Sequence, residues 1–411
     1  MPPYLTPIAG AIDPDDVRRC VERVFAIERV TLETDQAYVA RFHGRLTQES
    51  ETAWRSLAAE LRSRGCTPLF RLEQGEQVVI VARGVIAPSA SRVWLSWLLL
   101  ALTVVSMMMS AGLNEWLGSQ PDAVIAAIAG DPIALTLAGL EHMLLGWPFM
   151  ISMIAILGAH ELGHYIAARL HREPVSPPYF IPLPFSLLGT MGAVINLKAP
   201  PANRKVLLDI GAAGPIAGLV VAIPVLLIGL ATSAPLRALP PDQVTGFEGN
   251  SILYVLLKWA VFGKFLPEPA SFAEFPAWLT MLRFYGAGIF PPGGGTDVFL
   301  NQVAWAGWAG LLVTSLNLIP AGQLDGGHAL YVLLGPRARR LVPVIVAVLI
   351  ALGFFWMGWF LWAGLVLLLG RTHAEPLDQI TPLDPVRRAV AIGVLVLAVF
   401  VFMPVPLQAG L

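Results

Sequence analysis

The chain has 411 residues, of which 56% are hydrophobic and only 13% are charged. These proportions exclude a typical soluble protein and indicate a chain that crosses a membrane several times. The formal net charge of −1 gives no reason to expect a nucleic-acid partner. The two cysteines, Cys20 and Cys66, form no C-x-x-C pair and are typical of core thiols in a reducing compartment.

Residues 1–90 differ from the rest of the chain, because they contain short periodic segments in place of long apolar runs. No secretory signal opens the sequence, so we expect a cytosolic N-terminus. We predict a small α+β domain over residues 1–90, followed by a transmembrane domain over residues 91–411. The predicted elements of the small domain are a helix after Asp13, extended segments near Ala26–Leu32 and Gln36–Leu46, a helix over Glu51–Arg64 and a hairpin of Pro68–Leu72 and Gln77–Ala82.

The remaining chain contains apolar segments long enough for membrane crossings, for which about 20 residues are needed. These segments are Val93–Leu113, Trp147–Leu170, Val206–Ala231, Val298–Ile319, Leu341–Leu369 and Ala389–Val405. The fifth segment is long enough for one tilted helix or two short ones. A hairpin is favoured because it leaves the arginines on either side of the segment on the inner face. We therefore predict a polytopic α-helical membrane protein with about six or seven transmembrane helices and an outer C-terminus.

The composition of the connections between the predicted spans predicts on which side of the membrane they lie and which of them contain helices. The segment 114–146 has no Lys or Arg and is expected to face outward. Residues 232–297 form a long outer connection that is rich in Pro and Gly. Within it, Ser251–Lys264 and Phe272–Arg283 are apolar with few charges, a composition that predicts interfacial or re-entrant helices.

Residues 160–164 read HELGH, an H-E-x-x-H pattern inside the second predicted span. On a helix this spacing places two imidazoles one turn apart on the same face, with a carboxylate beside them. The pattern is typical of a zinc site in which His160 and His164 bind the metal and Glu161 is the general base. The preceding residues 146–157 carry no charge, so we expect the site at membrane depth, where ionisable groups are costly unless paired or metal-bound.

A catalytic zinc site takes three protein ligands and leaves the fourth position for water or substrate. The best candidate for the third ligand is Asp325, in the segment NLIPAGQLDGGH over residues 317–328. Pro320 and Gly322 break the helix there, and a carboxylate on an interrupted helix at membrane depth is costly unless it binds something. Two alternatives remain open, namely Asp325 as a helix N-cap and His328 as the third ligand.

Together the two motifs resemble the paired signatures of the site-2 protease family of intramembrane zinc metalloproteases. The resemblance runs from about Trp147 to the C-terminus, with a catalytic core over about 147–335, and is greatest to the chloroplast-type and cyanobacterial subgroup without PDZ or CBS domains. It implies one Zn²⁺ per chain on His160, His164 and Asp325, with Glu161 as the catalytic base. It also implies a role for Asn317 in binding substrate or an intermediate, whereas Gly189, Thr190 and Gly192 are predicted to bind substrate as part of the segment 173–198.

The same resemblance implies a zinc-dependent endopeptidase that cleaves transmembrane helices in regulated intramembrane proteolysis. The expected partner is a single-pass transmembrane protein, such as an anti-sigma factor or another regulator, within a lipid bilayer. The expected location is a bacterial inner membrane, with the protein as a multi-pass component.

Residues Glu173–Lys198, between the second and third predicted spans, combine prolines with the segment GTMGAVINL. A membrane helix hides its carbonyls in i→i−4 hydrogen bonds, so it must unwind before hydrolysis. An edge strand could replace those bonds with its own. We therefore predict a re-entrant β-hairpin that pairs with the substrate, and a plain cytosolic connector is the alternative.

Two other functions use the same ligands. A metal transporter also contains broken helices and intramembrane carboxylates, but this chain shows no internal repeat. A pseudoprotease that only binds substrates has no need for all four of the predicted catalytic and metal-binding groups. Glu161 discriminates among these functions, because only proteolysis needs a base that is not a metal ligand.

Overall fold

The computed structural model describes most of the chain, and all statements on structure refer to these residues: 4–6, 12–32, 37–234, 236–239, 247–269, 276, 279, 295–369 and 375–408. Most of them are helical, and small antiparallel sheets lie before and between the helices.

The N-terminal part forms a four-stranded antiparallel sheet with two helices, and the strands follow the order β2-β3-β5-β4. A short strand, β1, pairs with β6 immediately before the first long helix. The buried faces of both helices and of the sheet share one apolar core around Phe25, Phe42, Leu57 and Phe70. The elements are β1 Leu5–Thr6, α1 Pro14–Glu22, β2 Phe25–Leu32, β3 Tyr38–Leu46, α2 Ser50–Arg62, β4 Cys66–Glu73, β5 Glu76–Arg83 and β6 Val85–Ile86.

Eleven further α-helices follow in the described residues, most of them strongly apolar. A single-turn 3₁₀ helix, Met143–Gly146, leads into the helix that carries HELGH. The helices are α3 Val93–Gly118, α4 Asp122–Ala129, α5 Pro132–Glu141, α6 Trp147–Leu170, α7 Arg204–Thr232, α8 Ile252–Phe262, α9 Gln302–Asn317, α10 Asp325–Leu334, α11 Val342–Gly353, α12 Gly358–Leu369 and α13 Pro385–Val401.

Within the described residues, three helices are long and apolar enough to cross a membrane, or up to four if one bent pair counts as a span. The three are α3, α6 (with the preceding 3₁₀ turn) and α7, which match the first three predicted spans. The prediction of about six or seven spans is therefore reproduced only in part by length and composition. The later helices are shorter, with 16 residues in α9, 12 in α11, 12 in α12 and 17 in α13.

The shortening of the later helices has local causes. The predicted span Val298–Ile319 begins only at Gln302, because the side chain of Asn301 caps the helix by accepting from the amide of Ala304. Residues 341–369 are two helices separated at 354–357, as the hairpin prediction expected. The last helix is not shortened but shifted toward the N-terminus, to Pro385–Val401, because Asp384 caps it.

The connections contain more structure than the sequence analysis expected. Residues 122–141 form the helices α4 and α5, bent at 118° to each other, where only an outward-facing segment was predicted. The predicted helix Ser251–Lys264 is present as α8. The other predicted helix, Phe272–Arg283, falls outside the described residues apart from 276 and 279.

Glycines bring the central helices α6, α7 and α9 into backbone contact. A Cβ atom on Gly163 of α6 would lie 2.5 Å from the carbonyl oxygen of Ala213 in α7. A Cβ atom on Gly307 of α9 would lie 2.7 Å from the Cα of Leu226, also in α7. Small residues at such crossings let helix backbones approach closely, as is common in membrane proteins. The three helices therefore form the tight centre of the bundle.

The predicted hairpin is present between α6 and α7. Strand β7, Tyr179–Pro182, pairs with β8, Thr190–Val194, in an antiparallel two-stranded sheet. An isolated bridge between Val175 and Leu197 extends the pairing beyond the strands.

An extended segment, residues 375–381, joins the N-terminal sheet to the helical bundle, and we call it the strap. On one side, its Leu377 carbonyl accepts from the amide of Phe70 in β4 at 2.9 Å. On the other side, the amide of Leu377 donates to the carbonyl of Pro201 at 3.0 Å, and that of Asp378 donates to Ala202 at 2.8 Å. The strap therefore links β4 to the segment that precedes α7.

Candidate metal centre

Helix α6 carries three of the predicted site residues on its buried side. His160, Glu161 and His164 are 3%, 4% and 6% exposed. His160 and His164 are four residues apart, so α-helical geometry brings both rings to the same face. The apolar segment before them places this polar face among the central helices.

Asp325 is the first residue of α10 and follows the break at residues 318–324. The two residues after it must be glycines, because the start of α10 lies against the backbone of residues 318–322. A Cβ atom on Gly326 would lie 2.0 Å from the carbonyl oxygen of Leu318, and one on Gly327 would lie 2.5 Å from that of Gly322. The glycines thus allow α10 to begin at the point where Asp325 faces α6.

The structure brings His160, His164 and Asp325 together. The two Nε2 atoms of His160 and His164 are 3.2 Å apart. Oδ2 of Asp325 lies 3.3 Å from the Nε2 of His160 and 3.4 Å from that of His164. Ligands about 2.0–2.1 Å from a tetrahedral metal are themselves about 3.3–3.4 Å apart, so the spacing of these three donors fits a zinc ion.

The chemistry of the donor set also fits zinc. Two imidazole nitrogens and one carboxylate oxygen are the ligands of one common type of catalytic zinc site, which leaves an open position for water. Among the described residues, the candidate donor atoms of His160, His164 and Asp325 all lie within 4.8 Å of one another. The arrangement can therefore hold one divalent metal with a free coordination position.

Helix α7 orients the ring of His164. Nδ1 of His164 donates a hydrogen bond to the backbone carbonyl of Ile210 at 2.7 Å. A carbonyl can only accept, so this contact places the proton on Nδ1 and leaves the lone pair of Nε2 toward Asp325 and His160. Sequence reasoning missed this contact, since no side chain marks it.

Glu161 lies next to the three converging donors without being one of them. The backbone of Ile195, just after β8, lies close to its carboxylate. Both residues line a cavity of about 410 Å³ that also contains His160, His164 and Asp325. A carboxylate in this position is available for proton transfer, because it is not needed as a ligand.

The other predicted site residues occupy two places. The amide nitrogen of Asn317 lies 3.4 Å from Nε2 of His160, and Asn317 lines the cavity. His328, the alternative third ligand, also lines the cavity but does not belong to the converging group. Thr190 and Gly192 lie in β8, where the hydroxyl of Thr190 accepts from the amide of Gly192 at 3.0 Å. Gly189 lies in the hairpin turn against α3, and neither it nor Thr190 or Gly192 is among the residues that line the cavity.

Two further parts of the chain complete the cavity wall, one that overlaps the predicted hairpin segment 173–198 and one, Tyr4, that sequence reasoning did not single out. The run from Ala193 to Pro201, which continues β8 toward α7, forms one side of it. Tyr4, from the N-terminal part, lines the cavity as well. Nothing in the sequence near Tyr4 signals this position, because the contact depends on how the N-terminal part docks.

Comparison with known proteins places these observations in a family. The model of peptidase family M50 matches residues 148–361, which include both motifs and the hairpin. The chain belongs to peptidase family M50, the site-2 protease family. The family predicted from HELGH and NLIPAGQLDGGH is thereby confirmed.

Relatives of this M50 chain include plant proteins. It is 32% identical over 270 residues to the probable zinc metalloprotease EGY2, chloroplastic, of Arabidopsis thaliana, a match that covers 65% of this chain and 43% of the relative. It is 28% identical over 428 residues to the probable zinc metalloprotease EGY1, chloroplastic, of Oryza sativa subsp. japonica, covering 96% of this chain and 68% of the relative. No solved structure matches significantly.

The matched region spans less than half the length of the EGY2 relatives, 43% of that from Arabidopsis and 46% of that from Oryza sativa subsp. indica. These relatives are named as probable zinc metalloproteases, in agreement with the expected Zn²⁺ cofactor. In this M50 chain, the donors that fit zinc are those of His160, His164 and Asp325.

Proposed function

We propose that this chain is a zinc-dependent endopeptidase that hydrolyses peptide bonds of transmembrane helices. The observation that carries the proposal is the convergence of His160, His164 and Asp325 at tetrahedral spacing, with Glu161 beside them. Two distant parts of the chain supply these groups, and a purely structural ion pair does not require a second histidine or a free carboxylate. Family membership supports the same activity.

In the proposed mechanism the metal, when bound, acts as a Lewis acid and lowers the pKa of water. Glu161 accepts the proton of the attacking water and delivers it to the nitrogen of the leaving amine. The side-chain amide of Asn317 lies 3.4 Å from His160 and lines the cavity. In this position it can donate a hydrogen bond to the substrate carbonyl oxygen as negative charge develops on that oxygen. The hydrogen bond from His164 to Ile210 keeps the imidazole in the orientation that the site needs.

We further propose that the substrate binds as an extended strand along β8. Among the described residues β8 pairs with β7 alone, which leaves its other edge free of strand partners. The continuation of β8, from Ala193 to Leu197, lines the cavity beside Glu161. A substrate strand added at this edge gains backbone hydrogen bonds that offset those lost when its helix unwinds.

The proposed setting is a multi-pass protein whose hairpin re-enters the membrane and whose residues 1–90 form a cytosolic domain. Three helices of spanning length support a membrane location. The arginines at Arg169, Arg172 and Arg204 flank α6 and α7 at one end, and this distribution supports an inward orientation of that end. The relatives are named as chloroplast proteins, so a bacterial inner membrane stands as a prediction.

The activity can be tested by comparing cells that carry the wild-type chain with cells that carry Glu161→Gln. We expect fragments of single-pass proteins to accumulate in membranes of the variant, detected by quantitative proteomics of the membrane fraction. General acid–base catalysis contributes about 10²–10⁴-fold, so cleavage should fall below detection. The purified variant should retain zinc, measured by mass spectrometry of the metal, because Glu161 is not among the converging donors.

Glu28→Gln is the matched control, since it makes the same chemical change at a side chain that is 67% exposed and remote from the cavity. Equal fragment profiles for Glu161→Gln and the wild type would refute proteolysis. Transport of metal that persists in Glu161→Gln would favour the transporter, and binding of fragments without cleavage by the wild type would favour the pseudoprotease.

A further inference from the structure

Helix α3 carries a row of hydroxyl side chains on an otherwise apolar surface. Ser96, Thr103, Ser106 and Ser110 are separated by seven, three and four residues, a spacing that places them on one face of the helix. Thr103, Ser106 and Ser110 are buried, at 0%, 3% and 6% exposure. Hydroxyl groups gain no hydrogen bonds from lipid, so the partners of this row are expected within the protein.

The serines bind backbone carbonyls of the hairpin. The hydroxyl of Ser106 donates to the carbonyl of Gly189 at 2.6 Å. The hydroxyl of Ser110 donates to Ser186 at 2.7 Å and to Leu187 at 3.1 Å. These three carbonyls belong to the turn between β7 and β8, where strand pairing does not satisfy them fully.

Ser96 binds the opposite end of the hairpin. Its hydroxyl donates to the carbonyl of Pro178, immediately before β7. Together with Ser106 and Ser110, it attaches the hairpin to α3 at both of its ends. Irregular backbone at membrane depth needs internal partners of this kind, because lipid offers none.

Gly189 makes the attachment tight. A Cβ atom at this position would lie 2.5 Å from the Cα of Met107, and its φ of +68° is one that other residues rarely adopt. The turn therefore rests directly on the backbone of α3, between Ser106 and Ser110. Strand β7 packs against α3, and β8 lies on the far side of it, toward the cavity.

We propose that Ser106 and Ser110 are positioning residues that hold the β8 edge in the place where it can receive a substrate strand. The inference rests on the proposed function, but α3 lies outside residues 148–361, so the family match does not include it. Loss of the two hydroxyls should detach the turn between β7 and β8 from α3. A smaller fraction of molecules should then hold the edge of β8 in the position that binds substrate. The apparent affinity for substrate then falls by that fraction, while the chemical step is unchanged.

The test compares the double variant Ser106→Ala/Ser110→Ala with Thr103→Val in the full-length protein in detergent. Thr103 is the matched control, because its buried hydroxyl has no hydrogen-bond partner among the described residues. Hydrogen exchange of the Thr190–Val194 amides should be faster by about tenfold in the double variant and unchanged in Thr103→Val. Zinc content should equal that of the wild type in both.

Cleavage gives a second readout, with a synthetic single-span Leu-Ala peptide whose central Asn-Gly pair weakens its helix. We expect KM to rise by about tenfold in the double variant with kcat within twofold of the wild type. Unchanged exchange and KM in the double variant, or equal changes in Thr103→Val, would overturn the inference. If the wild type fails to cleave the peptide while exchange responds as expected, the proposed activity fails and the positioning role of the serines stands.

Discussion

A Cβ atom on Gly214 would lie 2.0 Å from Nε2 of His164, a distance at which two such atoms cannot coexist. Gly218, one turn further along α7, leaves little room beside His160, with 3.1 Å between its added Cβ and Nδ1 of that ring. Both glycines face the histidines of α6. The surface of α7 is therefore shaped to the two imidazoles that converge on Asp325.

Gly214→Ala should displace the ring of His164 and abolish zinc binding. The added methyl group meets the ring atom that is the candidate donor, and the ring is confined by its bond to Ile210. Zinc per chain, measured by mass spectrometry of the purified protein, should fall severalfold. Gly158→Ala is the control, because it lies on α6 two residues before His160 and its Cβ would meet nothing within 4 Å. A Gly214→Ala protein with full zinc content would contradict this account of the site.

Asp325→Ala should remove the stabilisation that zinc provides. For a ligand that binds only the folded state, stabilisation is about 2.7 kcal/mol at a concentration of 100 times Kd. Zinc added to the chelated wild type should therefore raise the thermal unfolding temperature, and Asp325→Ala should show little of this rise. His328→Ala should respond like the wild type. The opposite pattern would make His328 the third ligand.

Asp378→Ala should weaken the docking of the N-terminal part on the bundle. The carboxylate is 1% exposed and accepts from the hydroxyl of Ser50 at 3.0 Å and from the amides of Ile380 and Thr381 at 2.8 and 3.1 Å. Leaving these buried donors unpaired should cost about 2–4 kcal/mol, measured by thermal unfolding in detergent.

Asp131→Ala provides the comparison for Asp378→Ala. Asp131 also accepts from two backbone amides, those of Ile133 and Ala134, but it is exposed at the start of α5. Loss of such an N-cap costs about 1 kcal/mol. Equal effects of the two substitutions would mean that the strap contributes no more than an ordinary helix cap.

Cys66 should resist alkylation in the folded protein. Burial raises the pKa of its thiol to about 11, so at pH 8 only about one thiol in a thousand is ionised. Its reactivity should increase as the pH rises toward 11, because the thiolate is the nucleophile. Iodoacetamide labelling followed by intact-mass measurement should show slow reaction at pH 8 and rapid reaction after denaturation. Fast labelling of the folded chain would show that the thiol is accessible.

The sequence predicted the parts of the structure that depend on local pattern. The helix of HELGH, the break before Asp325 and the hairpin at 173–198 all follow from apolar runs, prolines and glycines. The N-terminal helices and strands were predicted to within a few residues for the same reason. The pairing of the two motifs was predicted from chemistry, since a zinc site needs a third ligand.

Contacts between distant backbone groups were not predictable in this way. Every residue has a carbonyl, so nothing distinguishes that of Ile210 before the helices are packed. Asp209 lies four residues after Lys205, a spacing that predicts a helical ion pair. In the structure Asp209 instead pairs with Arg387 at 2.7 Å, and Lys205 pairs with Glu51 at 3.2 Å. Once the helices and the N-terminal part are packed together, Asp209 and Lys205 each pair with a residue from a distant part of the chain and not with each other.

The strap also has a mechanical consequence. Its backbone is bonded to Phe70 on one side and to Pro201 and Ala202 on the other, and Pro201 belongs to the wall of the cavity. A tilt of the N-terminal sheet must either pull that wall along or break these bonds. The width of the cavity around Glu161 therefore depends on the orientation of the N-terminal sheet relative to the helical bundle.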